Sequence, residues 1–309
     1  MKIRLGYACN SITIDETASH TITYTHYKKL GINGNIKLDQ VIKSNFNSLE
    51  NILKYNTSND IKFYRMTAEL LPLSTHPNVN YDFFNQYKEY YKNIGDIIKK
   101  YNIRTDIHAS QYSILNSTKK DVVHSTINIL NIYKKMYDSM NIDSKIIMHV
   151  GSGEGGKKKA IKRFIDTFDN LDDDIKNLII LENDDKIFNI RNVLSICELL
   201  NIPMVLDYHH FKVNKNNEKI ENFIERIFNT WDETPKIHFS SPKDKKDKRS
   251  HNDYINSNDF IDFIEKIKFT NRDFDVMIEA KKKDEALFKL IRELKYKTDY
   301  KIEGTNIFI

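Results

Sequence analysis

The sequence is poor in the residues that mark several classes of protein. Its 309 residues include only 2 cysteines, 5 prolines and 9 glycines. Cys9 and Cys197 cannot build a disulfide framework, which excludes a small disulfide-stabilised secreted fold. No apolar run approaches the roughly 20 residues that span a bilayer, so we expect no membrane contact. The first residues form a strand-like pattern and then turn polar, so we expect a cytoplasmic protein without a signal peptide.

The composition that remains is that of an ordinary globular protein. Hydrophobic residues make up 40% and charged residues 29% of the chain, enough to bury a full core. The net charge of +5 is mild and spread along the sequence, so alone it is weak evidence for a polyanionic partner. No proline- or glycine-rich linker divides the chain, and we therefore expect one domain over residues 1–309.

Short β-rich apolar runs alternate with longer segments of helical periodicity. The predicted strands are 3–8, 62–67, 104–109, 145–150, 178–183, 203–208, 235–240 and 275–280. The predicted helices are roughly 39–55, 81–101, 118–140, 157–170, 187–200, 218–229, 257–268 and 284–297. This alternation predicts an α/β protein with a single (β/α)₈ TIM barrel, and the alternative is two doubly wound domains. Residues 11–38 are expected to form a long loop on the top face, and residues from about 298 to 309 to be peripheral.

Imidazole and carboxyl groups recur where the predicted strands end or in the loops just beyond. They are His76, His108, His149, Glu182, Asp207, His210, His238, His251 and Glu279. One such residue is more often a hydrogen-bonded polar group than a ligand, but nine of them buried together would leave lone pairs unsatisfied without cations. In a parallel barrel these ends meet at one mouth, so we predict a site for two or three divalent metal ions at the C-terminal face. The absence of cysteine from the set favours Mn²⁺, Zn²⁺ or similar ions over an iron–sulfur cluster.

Lys236 lies two residues before His238 on a predicted strand, so both side chains share one face. An ammonium group beside clustered divalent ions is unfavourable. Lys236 is therefore expected to be deprotonated, to be modified to an anionic carbamate, or to grip a substrate phosphate. The alternative is a solvated lysine, which requires His238 to face outward too.

Clustered metal ions suit in-line displacement at phosphorus, and they also support aldose–ketose isomerisation. Residues near the metal site that can bind a polyanion would favour displacement at phosphorus over isomerisation. Residues 151–159 combine glycines with Lys157 at a helix start and could seat a phosphate, although a plain turn is as good an interpretation. The basic run 243–249 is either a second positive patch or a solvated loop. Tyr7, Gln111 and Tyr112 could stack on or replace an unstacked base, or could be packing residues.

Together these segments resemble the UV damage endonuclease family over residues 1–295. The matching stretches are LGYACN (5–10), FYRMTAELLPLSTHP (63–77), IHASQYSILNS (107–117), HVGSGEGGK (149–157), LEND (181–184), DYHH (207–210), KIHFSS (236–241), HNDY (251–254) and EAKKKDEAL (279–287). The resemblance implies a TIM barrel with a trinuclear site, most often Mn²⁺, with Zn²⁺, Co²⁺ and Mg²⁺ as alternatives. It implies a hydrolase that incises double-stranded DNA immediately 5′ of UV photoproducts, leaving a 3′-hydroxyl and a 5′-phosphate.

The resemblance also implies roles for individual residues. The nine residues named above would bind metal, and Glu182, Glu279 and a carboxylated Lys236 would carry the catalysis. Gln111 and Tyr112 would probe the duplex. Tyr7 would contact the flipped lesion with Asn10 nearby, and Lys157 would contact phosphate.

We therefore expect a monomeric DNA repair enzyme without an obligate protein partner, associated with the nucleoid. Three alternatives remain at this point. The first is an abasic-site nuclease of the endonuclease IV type, which uses a similar barrel and metal cage. The second is a sugar isomerase or epimerase of the xylose isomerase type, and the third is a metal-stabilised module that binds damaged DNA without cutting it.

Overall fold

The computed structural model describes residues 1–309, and eight parallel strands close into a barrel. They are β1 (Lys2–Ala8), β2 (Phe63–Met66), β3 (Arg104–His108), β4 (Lys145–His149), β5 (Ile179–Glu182), β6 (Met204–Asp207), β7 (Lys236–Phe239) and β8 (Phe274–Ile278). Each strand pairs with the next, and β1 closes the ring by pairing with β8 and, at Tyr7 and Ala8, with β2. The predicted TIM barrel is confirmed.

The helices surround the barrel. They are α1 (Tyr24–Lys29), α2 (Asn33–Ser58), α3 (Lys88–Lys100), α4 (Lys120–Met140), α5 (Lys157–Asp169), α6 (Asp173–Lys176), α7 (Ile190–Leu200), α8 (Tyr208–Val213), α9 (Ile224–Asn229), α10 (Ser257–Ile267) and α11 (Lys283–Lys297). None of them is both long and apolar enough to cross a membrane.

Two predicted segments have more structure than the sequence pattern indicates. Residues 11–38 are not a loop throughout, because α1 lies within them and α2 begins at Asn33. The first turn of α2 carries asparagines and a glycine, which are poor helix formers, so the pattern does not reveal where this helix starts. Residues 301–308 form a hairpin of β9 (Lys301–Glu303) and β10 (Asn306–Phe308), and β10 pairs antiparallel with the start of β1. This end of the chain is therefore part of the sheet.

The barrel separates two apolar regions by the alternation of side chains along each strand. The large core of 74 buried residues includes Ile3, Leu5 and Tyr7 of β1 and the inner faces of the surrounding helices. Small separate clusters, one containing Ala8 with Phe63 and Met277 and another containing Ile147, fill the barrel interior. A side chain at Gly6 would collide with the backbone of Phe63, so β1 and β2 can approach closely only because this residue is glycine. This alternation determines which side chains reach the mouth.

Candidate metal centre

The last interior position of several strands carries an imidazole or a carboxylate. His108, His149, Glu182, Asp207 and His238 end or nearly end their strands, and each follows by two residues a side chain deeper in the barrel. Three overlapping groups have ligand atoms within 4.8 Å of one another. They are His108, Glu182 and His238; Glu182, Asp207 and His210; and Asp207, His238 and Glu279.

Glu182 is the centre of this arrangement. One of its oxygens lies 2.6 Å from Nε2 of His108 and 3.7 Å from Nε2 of His149. The other lies 3.0 Å from Nδ1 of His238 and 3.5 Å from Nδ1 of His210. Burial alone would raise the pKa of Glu182, but the neighbouring histidines hold it well below the usual range. A single buried carboxylate thus contacts imidazoles from four separate segments.

Asp207 shows that this donor set fits a cation. Its Oδ1 accepts the backbone N–H of His210 at 2.7 Å and thereby caps α8. Its buried Oδ2 has no hydrogen-bond partner, and its nearest cationic neighbour is Nδ1 of His210 at 3.6 Å, so a bound cation would compensate the burial of this oxygen better. Burial and the nearby carboxylates Glu182 and Glu279 raise the pKa of Asp207 well above the usual range although His210 opposes the shift. The orphaned oxygen, surrounded by nitrogen and oxygen donors and no sulfur, is a suitable ligand for divalent metal.

The histidines differ in how the site affects their protonation. Burial lowers the pKa of His149 and of His238. Burial also disfavours the charged form of His210, but Asp207 and Glu182 outweigh it and raise its pKa to about 11. Without metal, the neighbouring Asp207 and His210 side chains therefore hold a proton between them at neutral pH, and a bound ion would have to replace that proton.

His251 and His76 lie at different distances from this centre. His251 has Nδ1 3.9 Å from Oε2 of Glu279 and its ring packs edge-on against His209, so it extends the cluster. His76 stacks on Tyr24 with ring centroids 3.8 Å apart and contacts none of the other eight predicted ligands. It lies in a loop ten residues beyond the end of β2, where no strand determines its position. The structure thus brings together eight of the nine predicted ligands.

Lys236 points into the barrel beneath His238. It is 1% exposed, and its Nζ lies 3.1 Å from Oδ2 of Asp106 and 5.6 Å from the ring of Phe63. Burial lowers its pKa, although Asp106 partly offsets the effect. This position excludes a solvated lysine, and it also argues against a grip on substrate phosphate because the ammonium group has no access to the mouth.

Arg65, which the sequence pattern did not single out, lies among the ligands. It is 5% exposed and reaches Asp106, Glu279 and His238. The sequence does contain a sign of this role, because Arg65 is an arginine inside an apolar strand, two residues after the interior Phe63.

Asn183 is a second residue whose role the sequence pattern does not indicate. Its side-chain amide pairs with both the N–H and the C=O of Asp207 and so holds the end of β6 beside β5.

Tyr7 does not lie where the resemblance implied. It is fully buried on the outer face of β1, its hydroxyl donates to Oδ1 of Asn56 at 2.7 Å, and its ring packs edge-on against Tyr64. Strand alternation gives the reason, because Gly6 and Ala8 face the interior and Tyr7 between them faces the helices. The predicted lesion contact of Tyr7 is therefore corrected to a role in the core.

The other residues predicted to contact DNA are on the top face. Gln111 and Tyr112 are exposed in the loop after β3, and Tyr112 is 78% accessible. Asn10 lies in the loop after β1 and accepts a hydrogen bond from Thr17. Lys157 is the exposed first residue of α5, whose N-terminus has no side-chain cap.

A sequence model described as UV-endonuclease UvdE matches residues 3–307. This chain belongs to the UvdE family. A UV DNA damage endonuclease from Bacillus cereus (strain B4264) is 38% identical over 301 residues, 95% of each chain. The crystal structure of SacUVDE has a TM-score of 0.87 and 31% identity, covering 95% of this chain and 98% of the other. Membership of an endonuclease family makes this protein a hydrolase, as the resemblance implied.

More distant structures share only the barrel. Endonuclease IV from Thermus thermophilus has a TM-score of 0.57 at 11% identity, covering 96% of this chain and all of the other. A D-tagatose 3-epimerase-like protein has a TM-score of 0.59 at 15% identity, covering 95% and 96%. These likenesses give no support to an abasic-site nuclease or a sugar epimerase, because they lie at the level of fold alone.

Proposed function

We propose that this UvdE-family protein incises damaged double-stranded DNA immediately 5′ of UV photoproducts in a metal-dependent reaction. The products would be a 3′-hydroxyl and a 5′-phosphate. The observation that carries the metal dependence is Glu182, a buried carboxylate contacted by four imidazoles, next to an Asp207 oxygen that has no hydrogen-bond partner. Family membership over residues 3–307 supports the DNA substrate.

The metal would be held by the clustered ligands His108, His149, Glu182, Asp207, His210, His238, His251 and Glu279. We propose two or three ions, Mn²⁺ in the first place, with Zn²⁺, Co²⁺ or Mg²⁺ as substitutes. Such ions activate water and neutralise charge at a phosphodiester under attack. Glu182 and Glu279 would act by fixing these ions relative to the scissile phosphate. His76 would join only if its loop moved away from Tyr24.

Lys236 is proposed to be carboxylated. Burial favours its neutral amine, which can add carbon dioxide and release a proton to form an anionic carbamate. The carbamate would place another oxygen donor beneath His238. Isotope-labelled carbon dioxide should then give a carbamate signal in NMR spectra of the metal-loaded protein, and the signal should be absent from Lys236→Met.

DNA recognition is assigned to the exposed top-face residues. Gln111 and Tyr112 are exposed in the loop that begins after His108, and we propose that they enter the base stack beside the metal cluster. The free amides at the start of α5 and the ammonium group of Lys157 suit a DNA phosphate, and Asn10 is proposed to lie near the lesion. We also propose that the protein works in the cytoplasm at the nucleoid, as a monomer without an obligate protein partner.

The deciding experiment uses two otherwise identical duplexes, one with a single cyclobutane dimer and one with a single abasic site. We expect Mn²⁺-dependent incision 5′ of the dimer and loss of incision in the presence of a chelator. Cleavage of the abasic duplex alone would favour an endonuclease IV-like activity. Tight binding to the dimer without a nick when Mn²⁺ is supplied would leave only a binding module.

A further inference from the structure

Arg65 occupies ligand atoms that a metal ion would need. Its Nη1 donates to Oε1 of Glu279 at 2.5 Å, and its Nη2 lies 2.5 Å from Nε2 of His238. Glu279 and His238 are two of the three members of the group that Asp207 completes. The guanidinium group therefore holds two ligands of this subsite. It holds one ligand, His238, of the group formed with His108 and Glu182, and none of the group formed by Glu182, Asp207 and His210.

The hydrogen bond to His238 also constrains its ring. A guanidinium nitrogen can only donate, so Nε2 of His238 must accept, and the proton of the neutral ring then sits on Nδ1. Nδ1 is directed toward Oε1 of Glu182 at 3.0 Å and toward Oε1 of Glu279 at 3.3 Å. While Arg65 is bound, neither nitrogen of the neutral His238 has a free lone pair for an ion.

Charge adds to this competition. Arg65 is 5% exposed, so its positive charge is poorly screened by water. It also serves the metal-free protein, because it neutralises the buried carboxylate of Asp106 and the partly buried carboxylate of Glu279. The same side chain thus compensates buried negative charge without metal and opposes a dication that shares its ligands.

We infer that Arg65 is a resident competitor for the subsite formed by Asp207, His238 and Glu279, and that this subsite is the last to take up metal. Loading it requires Arg65 to release Glu279 and His238, whereas its bond to Asp106 can persist. This inference rests on the proposed metal-dependent function and concerns the order in which its ions bind. It predicts that Arg65 strengthens the metal-free fold while weakening metal binding.

The test is a titration of the full-length metal-free protein with MnCl₂, counting unbound Mn²⁺ by electron paramagnetic resonance and recording melting temperatures in parallel. In Arg65→Met the weakest class of sites should bind Mn²⁺ about tenfold more tightly, while the melting temperature without metal falls by several degrees. Arg65→Gln removes the charge but keeps a donor for Asp106, and it should show the same tightening if Arg65→Met does not fold.

Arg104 provides a matched control. It is another largely buried interior arginine, paired with Asp275 at the opposite end of the barrel. Arg104→Met should lower the melting temperature without changing Mn²⁺ affinity. If Arg65 had only a structural role, Arg65→Met would lose both stability and Mn²⁺ affinity. Either that result or an unchanged Mn²⁺ affinity would overturn the inference. A wild-type protein that binds no divalent ion would instead refute the metal dependence of the proposed function.

Discussion

Replacing Tyr7 by phenylalanine separates a role in the core from a role at the lesion. The substitution keeps the ring that packs against Tyr64 and removes only the hydroxyl that donates to Asn56. Both residues are completely buried, and Nδ2 of Asn56 already lacks a partner. Without the hydroxyl the whole side-chain amide of Asn56 is unpaired, which should cost about 1–3 kcal/mol of unfolding free energy.

The assay combines urea denaturation with binding to duplexes that carry or lack one cyclobutane dimer. Tyr7→Phe should lower the free energy of unfolding while the ratio of the two affinities stays unchanged at a temperature where the protein is folded. The double variant Tyr7→Phe with Asn56→Leu should recover part of the stability, because both polar partners are then gone. Tyr112→Ala is the reverse control, since an exposed side chain should affect discrimination while changing stability by less than about 0.5 kcal/mol. Loss of lesion discrimination in Tyr7→Phe with unchanged stability would refute this reasoning.

Three further outcomes are expected. Glu279→Gln should abolish incision and reduce bound metal, and full activity in that variant would mean that the metal ligands are misassigned. Mn²⁺ binding should release protons, because the Asp207 and His210 side chains hold a proton between them without metal. Apparent affinity should therefore rise with pH, and a binding enthalpy independent of the buffer would contradict this. Asp284 accepts hydrogen bonds from Ser11, Ile12 and Tyr55, so Asp284→Asn should speed hydrogen exchange at residues 11–13 without altering metal content, and unchanged exchange would argue against this anchor.

The predictions that agree with the structure depend on patterns of residue type over short stretches of the sequence. Alternating apolar runs and helical segments indicated the barrel, and the polar groups at strand ends, such as Glu182 and His238, meet because parallel strands present the same end to one mouth. Lys236 and His238 share a face because side chains alternate along a strand. These properties extend over a few residues and can be read directly from the amino-acid order.

The predictions that differ depend on neighbours distant in sequence. Tyr7 lies at the end of a correctly predicted strand, but the face it occupies follows from the packing of Gly6 and Ala8 inside the barrel. His76 has the right residue type, but its loop is held by a stack on Tyr24. The hairpin at residues 301–308 exists because β10 pairs with the start of β1, nearly the whole chain length away.

The order of the elements, the residue types available as ligands and the end of the barrel where they gather all follow from the amino-acid order, because periodicity and chain direction are local properties. Three features arise only when the whole chain is folded: Glu182 contacts four histidines, Asp207 has an oxygen without a hydrogen-bond partner, and Arg65 holds two ligands of one subsite. The distances between these side chains depend on the register of the eight barrel strands. Packing around the complete barrel sets that register, so it cannot be read from any short stretch of sequence.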